Sequence, residues 1–573
     1  MPEISRRSLL IAGAGAAGAG VLGWGAPGTA RAADTGARRA YSVRGTTLEQ
    51  VATPVKTSGY SRLAAGPGYP LVVRTDLAAG TARRDDTRVA LASFVQLTDL
   101  HVIDAQSPMR FEFLRTATGS AFRPHEALGT QGTSQLVRRI NDIGRGPFSG
   151  RVFDCVVSTG DNTDNHETVE LDWFLTLLNG GTVTPNTGDP KRWEGAQTSG
   201  NSFYYNPQDP AKDDYKDAGF PYLPGYFARA TAAHTSPGLH TKWFSVFGNH
   251  DDSVEGTLPS DWGLLKAVYT GDFKFTGFSS GGADSALRAA VQGGATAILG
   301  MSSALRTGTK VTPDQRRKPF TPKEYMQAHL AAGATGAGPV GHGFTAENVA
   351  TGNGYYTFEI APGVTGIALD STNRAGFTDG SLGHQQYTWL IDVLERGSSH
   401  YYDSFGRKVT KAGVQDSYFV VFSHHTSDSM GNLLIAPDRL EIRHSGPDVR
   451  GVLSRFPNVL AWVNGHTHDN RITARGHAVP ERSWWEINTA SHIDFPQHAR
   501  IIDVCDNRDG TISLFTTLVE SAAPYQASYG AGDAASLASL YREFSYNDLA
   551  MDPQRTGGAG DHNTELLLTK PGS

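Results

Sequence analysis

The sequence predicts an α/β fold, and three observations predict it. Apolar runs of strand length recur along the chain, and helical patterns stand between several of them. Five of the runs lead directly into a short cluster of Asp, Asn and His. Continuous Val/Phe/Ile-rich runs are expected of strands buried on both faces, and their alternation with helices argues an α/β architecture. In such sheets ligands bind beyond the carboxyl ends of the strands, so five clusters so placed can converge on one crevice.

The first 32 residues read as a signal rather than as fold. Ser5-Arg6-Arg7-Ser8-Leu9-Leu10 precedes an apolar Gly/Ala-rich run, and Ala30-Arg31-Ala32 offers a small-x-small cleavage site. The arginine pair resembles a twin-arginine (Tat) signal, which implies export of an already folded protein to an extracellular, periplasmic or cell-wall location. A general secretory signal or an uncleaved anchor is the alternative.

Residues 33–88 are rich in Gly, Ala, Thr and Arg and are expected to form an N-terminal extension on the surface. The core begins at Val89–Leu97. Strands are then expected at Phe153–Ser158, Trp243–Phe247, Tyr355–Ile360, Gly366–Leu369, Tyr418–Phe422 and Val459–Val463. Trp484–Ile487, Ala499–Val504 and Thr511–Leu518 complete the set. Helical patterns occupy Thr133–Ile143, Thr168–Leu178 and Gln385–Glu395.

Two stretches interrupt this rhythm, 179–240 and 253–354. The second holds a capping-box outline with Pro at the first helical position, Thr321-Pro322-Lys323-Glu324. Loops this long are uncommon and often functional, so both are expected as walls or lids over the site; surface decoration or an oligomer contact is the bland reading. Residues 521–573 read as a polar, Ala/Gly-rich tail.

The 573 residues carry a net charge of −6, with only Cys155 and Cys505 for sulfhydryls. Removing the signal makes the charge about −8, which offers no basic field for nucleic acid or an anionic membrane. Both cysteines lie in core-like runs, so buried free thiols are expected rather than a bridge. No run beyond the signal is long and apolar enough to span a bilayer.

The clusters are Asp99-Leu100-His101, Gly160-Asp161-Asn162-Thr163-Asp164, Gly248-Asn249-His250-Asp251, His424-His425 and Gly465-His466-Thr467-His468. Carboxylate, imidazole and amide donors together suit Zn, Mn or Fe better than Ca or Mg. Each cluster alone is weak, because Gly-Asp is more often a turn than a ligand. Their placement at five strand ends is what gives them weight.

In this order the clusters resemble those of the calcineurin-like metallophosphoesterase superfamily over roughly 90–520. Ala368-Leu369-Asp370-Ser371, Gly383 and Gln386 with Trp389-Leu390 are similar to that family's stretch before its isolated His. The resemblance implies a four-layer αββα sandwich with large insertions and two metal ions at one edge. It assigns Asp99, His101, Asp161 and His468 to one ion, and Asp161, Asn249, His424 and His466 to the other. Asp161 is the shared carboxylate. His425 is the alternative to His424, which family members with adjacent histidines favour.

The resemblance further implies hydrolysis of a small phosphodiester or phosphomonoester by a water activated between two ions roughly 3.5–4 Å apart. His250 would stabilise phosphoryl oxygens or protonate the leaving group. Asp251 either orients His250 or caps a turn. Asp164 stands where purple acid phosphatases carry a ligating tyrosine, so it is an outer acceptor or a turn residue.

His492 either reaches the site or is an exposed loop histidine. His166 either supports the site or opens a helix, and Arg110 meets either a phosphate or a surface carboxylate. Trp484 and Trp485 read as core.

Two rivals remain. One is a non-catalytic exported binding or scaffold protein with a structural metal site. The other is a nuclease or phospholipase of the same chemistry; acidic charge opposes the nuclease, and an apolar surface within 179–354 would favour the phospholipase.

Overall fold

The computed structural model describes residues 40–116, 118–259, 263–277, 307–436 and 440–572. The expected signal at 1–32 lies outside these residues. The seven-stranded sheet runs, in spatial order, Leu71–Arg74, Asn563–Thr569, Thr511–Val519, Ala499–Asp506, Val89–Leu97, Cys155–Ser158 and Trp243–Ser245. The six-stranded sheet runs Tyr356–Ala361, Val364–Ala368, Tyr418–Phe422, Val459–Asn464, Trp484–Asn488 and Arg471–Arg475.

Both sheets are mixed, and each contains a parallel run, at one edge of the seven-stranded sheet and through the middle of the six-stranded one. Val89–Leu97, Cys155–Ser158 and Trp243–Ser245 run parallel in one; Val364–Ala368, Tyr418–Phe422, Val459–Asn464 and Trp484–Asn488 do so in the other. Parallel pairing sends the carboxyl ends of all the ligand-bearing strands to one edge.

Why continuous apolar runs form these strands is visible in Tyr418–Phe422. Val420 and Phe422 join the core shared by the two sheets, whereas Phe419 and Val421 pack under helices on the outer face. A period of two with both faces buried leaves no polar position. Phe94 meets Phe422 edge-on at 5.6 Å, and Phe244 stacks on Phe358 at 3.9 Å, so the sheets are face to face.

Helices Gly129–Ile143 and Thr168–Asn179 belong to the first sheet's side, and His384–Arg396 and Gly446–Leu453 cover the second. The result is the four-layer αββα sandwich. Helix Pro322–His329 begins with the expected capping box, Thr321 Oγ1 accepting from Glu324 N at 3.2 Å.

Three regions differ from expectation. Leu71–Arg74, within the stretch read as a surface extension, is the edge strand of the seven-stranded sheet. The stretch read as a tail supplies that sheet's second strand, Asn563–Thr569, and a helix, Ala534–Asn547, packed on Gly129–Ile143. Both are short or Ala/Ser-rich, so pairing rather than composition decides their place.

The insertion 179–240, read as a loop over the site, carries an aromatic core of its own. Its Tyr204, Tyr205, Tyr215, Phe220 and Phe227 form a separate core with Phe122 and Phe544. The insertion 253–354 does brace the ligand loops: Tyr269 Oη donates to Asn165 O at 2.8 Å, and Tyr325 Oη lies 2.8 Å from Asn162 Nδ2. Cys155 and Cys505 are buried free thiols. Among the described residues no helix is long and apolar enough to cross a membrane.

Candidate metal centre

The loops at the common edge continue to pair after their strands end. Asp99 N donates to Gly160 O at 3.0 Å, His101 N to Asp161 O at 2.9 Å, and Gly465 N to His424 O at 2.9 Å. Gly248 permits a close approach, because a Cβ there would overlap the Asp161 backbone and carboxylate. Asp99, His101, Asp161, His466 and His468 all have φ between 42° and 73°. Side-chain-bearing residues seldom adopt this region, and it persists where surrounding contacts impose it, characteristically at functional sites.

These loops bring six of the seven expected ligand residues together, and the seventh, Asn249, precedes His250, whose backbone N donates to Asp161 Oδ1 at 2.8 Å. Asp161 Oδ2 lies 3.1 Å from His424 Nε2 and 3.6 Å from His101 Nε2, so one oxygen stands between the two groups. Asp99 Oδ1 is 3.2 Å from His468 Nε2 and 3.9 Å from both His101 Nε2 and His424 Nε2. His466 Nδ1 approaches His424 Nε2 to 3.3 Å. Three sets, Asp99–His101–His468, His101–Asp161–His250 and Asp161–His424–His466, have donor atoms within 4.8 Å of one another.

The donor chemistry fits metal ions. Asp99 Oδ1, His101 Nε2 and Asn249 Oδ1 are buried without a hydrogen-bond partner. Leaving a buried polar atom unpaired costs about 1–3 kcal/mol, so such a convergence calls for an occupant. In three imidazoles the other nitrogen is already committed. His101 Nδ1 faces Asp164 Oδ1 at 2.7 Å, His468 Nδ1 faces Asp494 Oδ2 at 2.7 Å, and His424 Nδ1 faces Thr159 O at 2.9 Å. Each acceptor fixes a hydrogen on Nδ1 and leaves the Nε2 lone pair for an ion.

His425 is not a donor in this arrangement. Its Nδ1 lies 2.8 Å from Ser371 Oγ and its Nε2 2.9 Å from Thr378 O, so both nitrogens are occupied. The Asp370–Gln386 signature seen in the sequence supports that loop, with Gln386 Oε1 accepting from Asp370 N at 2.8 Å.

His250 is partly open to solvent, its side chain 18% exposed. Its Nδ1 lies 2.8 Å from Asp164 O and 3.6 Å from Asp164 Oδ1. Asp251, expected to orient His250 or to cap a turn, takes the capping part: it accepts from Gly248 N of its own turn at 3.0 Å and from the backbone nitrogens of Asn162 and Thr163 at 2.9–3.1 Å. It braces two ligand loops, and Asp164 is the residue that positions His250.

Arg110 meets neither a phosphate nor a surface carboxylate; it is fully buried between Asp164 and Glu126. His492 is buried against Tyr541 rather than exposed. His166 is buried against Phe320, with φ 62°. Trp484 and Trp485 are core.

Asp494 was missed by sequence reasoning. It lies two residues past His492, after the end of Trp484–Asn488, and that strand-end position was its only signal. Arg123 Nε donates to it at 2.7 Å, and Arg555, from the region read as a tail, pairs with it too.

Burial opposes charge on every group here, and the neighbours decide the outcome. His424 is disfavoured as a cation by burial, yet Asp161 and Asp99 push its pKa up to about 9. Burial and the His424 charge push His466 down to about 3. Asp161 is held well below the usual carboxylate range despite its burial, chiefly by His424 and His250. Asp251 rises to about 6 through burial and the Asp161 charge.

No protein-family model matches the chain, and no curated protein matches it in sequence. Similar solved structures include a dimetal phosphatase from Danio rerio, 12% identical, spanning 75% of this chain and 99% of that one, with TM-score 0.33. A purple acid phosphatase from yellow lupin (Lupinus luteus) seeds is 10% identical, spanning 80% of this chain and 53% of that one, with TM-score 0.27. Likeness at this level says nothing of the chemistry here, which rests on this chain's own residues.

Proposed function

We propose that the protein hydrolyses phosphoesters with two metal ions, of Mn, Zn or Fe, at this edge. Asp99, His101, Asp161 and His468 would hold one, and Asp161, Asn249, His424 and His466 the other. The observation that carries the proposal is the set of unpartnered buried ligand atoms, Asp99 Oδ1, His101 Nε2 and Asn249 Oδ1, of which His101 Nε2 lies 3.9 Å from Asp99 Oδ1 and 3.6 Å from Asp161 Oδ2. When bound, such ions supply Lewis acidity toward phosphoryl oxygens and acidify a water.

The chain's own residues do the rest. A carbonyl only accepts, so His250 Nδ1 carries a hydrogen toward Asp164 O. Nε2 is therefore the atom that holds or yields a proton, and it is the one placed to protonate a leaving oxygen. Asp164 holds His101 with a carboxylate oxygen and His250 with its carbonyl, tying a ligand to the proton donor. Asp251 keeps the two loops in register.

Export is part of the proposal, supported by Arg6, Arg7 and the Ala30-Arg31-Ala32 site. The test of function compares bis-p-nitrophenyl phosphate with p-nitrophenyl phosphate, using protein stripped of metal and reloaded with Mn or Zn. Turnover should require metal and fall by about 100-fold or more in His250→Ala, within the range for a lost general acid. Turnover independent of metal, or unchanged in His250→Ala, would contradict the proposal.

A further inference from the structure

We propose that Glu126 is a positioning residue for the metal ion of the Asp99–His101–His468 half, and that it docks the insertion 179–240 onto that half through Gln197; this rests on the two-ion reading above. His101 and His468 each lean on a buried carboxylate, Asp164 and Asp494. The two carboxylates come from loops far apart in sequence, and Glu126 is the group that joins them.

The joint starts in a four-residue turn, Arg123-Pro124-His125-Glu126. Glu126 N donates to Arg123 O at 3.3 Å, and Arg123 N donates to Glu126 Oε2 at 3.0 Å. Proline suits the second position of such a turn, because its fixed φ is the one the turn needs there. The Glu126 carboxylate is thereby set beside the Arg123 backbone. The Arg123 side chain reaches the other way, its Nε donating to Asp494 Oδ1 at 2.7 Å, and His125 Nε2 donates to the neighbouring Ile493 O at 2.8 Å. Glu126 Oε2 also accepts from Arg110 Nη2 at 2.9 Å, and Arg110 Nη1 donates to Asp164 Oδ2.

The contacts close a circuit, His101–Asp164–Arg110–Glu126–Arg123–Asp494–His468, and its two imidazoles meet again with ring centroids 5.3 Å apart. Arg110, Arg123, Glu126 and Asp164 are each 2% exposed or less. In so dry a setting a charge that loses its partner is strongly disfavoured, so the members hold one another in place. His101 and His468 therefore share one set of supports. His424, in the other half, rests on Thr159 O, outside the circuit.

Glu126 has a second oxygen, and the insertion takes it. Gln197 Nε2 donates to Glu126 Oε1 at 3.0 Å, while Gln197 Oε1 accepts from Trp193 Nε1 at 3.0 Å. Trp193 stacks on Phe227 with centroids 4.3 Å apart, and Phe227 belongs to the insertion's aromatic core. Gln197 sits in the short helical turn Ala196–Thr198, whose Ala196 is buried in that same core. Its amide thus spends its oxygen on the insertion and its nitrogen on the circuit. Packing of the insertion fixes Gln197, Gln197 fixes Glu126, and Glu126 fixes the carboxylates behind two ligands.

The test is calorimetric titration of the stripped full chain with Zn, which reads binding rather than turnover. The wild type should show two steps, and the step weakened in Asp494→Asn marks the first-half ion. Glu126→Gln should weaken that step by about 10–100-fold, the range for a group behind a metal ligand, and leave the other within about twofold. Gln197→Ala should weaken the same step by about threefold or more, as the loss of one hydrogen bond allows. A double-mutant cycle over Asp164→Asn and Asp494→Asn reads the circuit with Glu126 in place, and it decides the matter should Glu126→Gln fail to fold. The double variant should fall short of the product of the single losses by about tenfold or more, because groups in one network are not additive.

Equal weakening of both steps by Glu126→Gln, no weakening by it or by Gln197→Ala, or single losses that multiply in the double variant would overturn the proposal. A wild type that binds no Zn would sink the two-ion reading, and this assignment with it. A wild type that binds two ions but turns over neither nitrophenyl ester would sink the phosphoester reading alone.

Discussion

The two halves of the metal centre are held by different means. In the Asp99–His101–His468 half both imidazoles rest on carboxylates, Asp164 and Asp494, and those carboxylates are clamped by Arg110, Arg123 and Arg555. In the other half His424 rests on a backbone carbonyl, Thr159 O, and Asn249 Nδ2 donates to Gly256 O at 3.1 Å. A carboxylate behind an imidazole raises its basicity and locks its orientation, whereas a carbonyl locks orientation with less charge. The first half is therefore set by buried ion pairs, and the second by the path of the backbone.

Substitutions can break that contrast. The largest effect belongs to Asp161→Asn, which removes the one carboxylate common to both halves. Activity should fall by about 1,000-fold or more, with loss of metal from both halves, as measured by turnover and elemental analysis; a full-activity variant would refute the shared role.

Next comes Asp494→Asn. It should lower metal affinity by about 10–100-fold in the first half, the usual effect of losing a ligand's outer partner, and leave the second half nearly intact. Calorimetric titration of stripped protein reads both steps, and equal weakening of both would erase the distinction.

Gly256→Ala probes the second half. Gly256 has φ 61°, and a Cβ there would overlap Asn249 and His250. A drop of about tenfold in second-half affinity is expected, with the first half unchanged and only about 1–2 kcal/mol lost in stability.

The smallest effect is on pH dependence. His424, pushed up to about 9 in the metal-free chain, gains a proton's worth of stability on folding. That contribution is complete below the unfolded value near 6.5 and is lost as pH rises through about 9. Metal-free protein should melt progressively lower between those limits, while metal binding, which needs neutral His424, tightens. A flat melting profile for stripped protein would remove His424 as a protonated group.

Much of this contrast was hidden in the sequence for a physical reason. Ligands must sit within a few residues of their strand ends, so Asp99, Asp161, Asn249, His424 and His466 announce themselves as polar clusters after apolar runs. Their outer partners need no such place. Asp164 reaches back 63 residues to His101, and Asp494 reaches 26 to His468. Asp251 misled because adjacency to His250 in sequence suggested contact, whereas its carboxylate turns toward the Asn162 and Thr163 nitrogens.

The fold divides in the same way. The αββα layers were legible through doubly buried runs such as Tyr418–Phe422. The role of Leu71–Arg74 and Asn563–Thr569 was not, because they pair with each other across the whole chain. The Tyr-rich insertion likewise looked like loop, since its aromatic side chains find their core against residues distant in sequence, such as Phe122 and Phe544.

The most direct test of the account is the metal content of chain that has been stripped, reloaded with Mn or Zn, and freed of excess ion. Two ions per chain in the wild type, both lost in Asp161→Asn, is the result the account predicts. A single ion per chain, or two ions that survive Asp161→Asn, would contradict a centre built around that shared carboxylate.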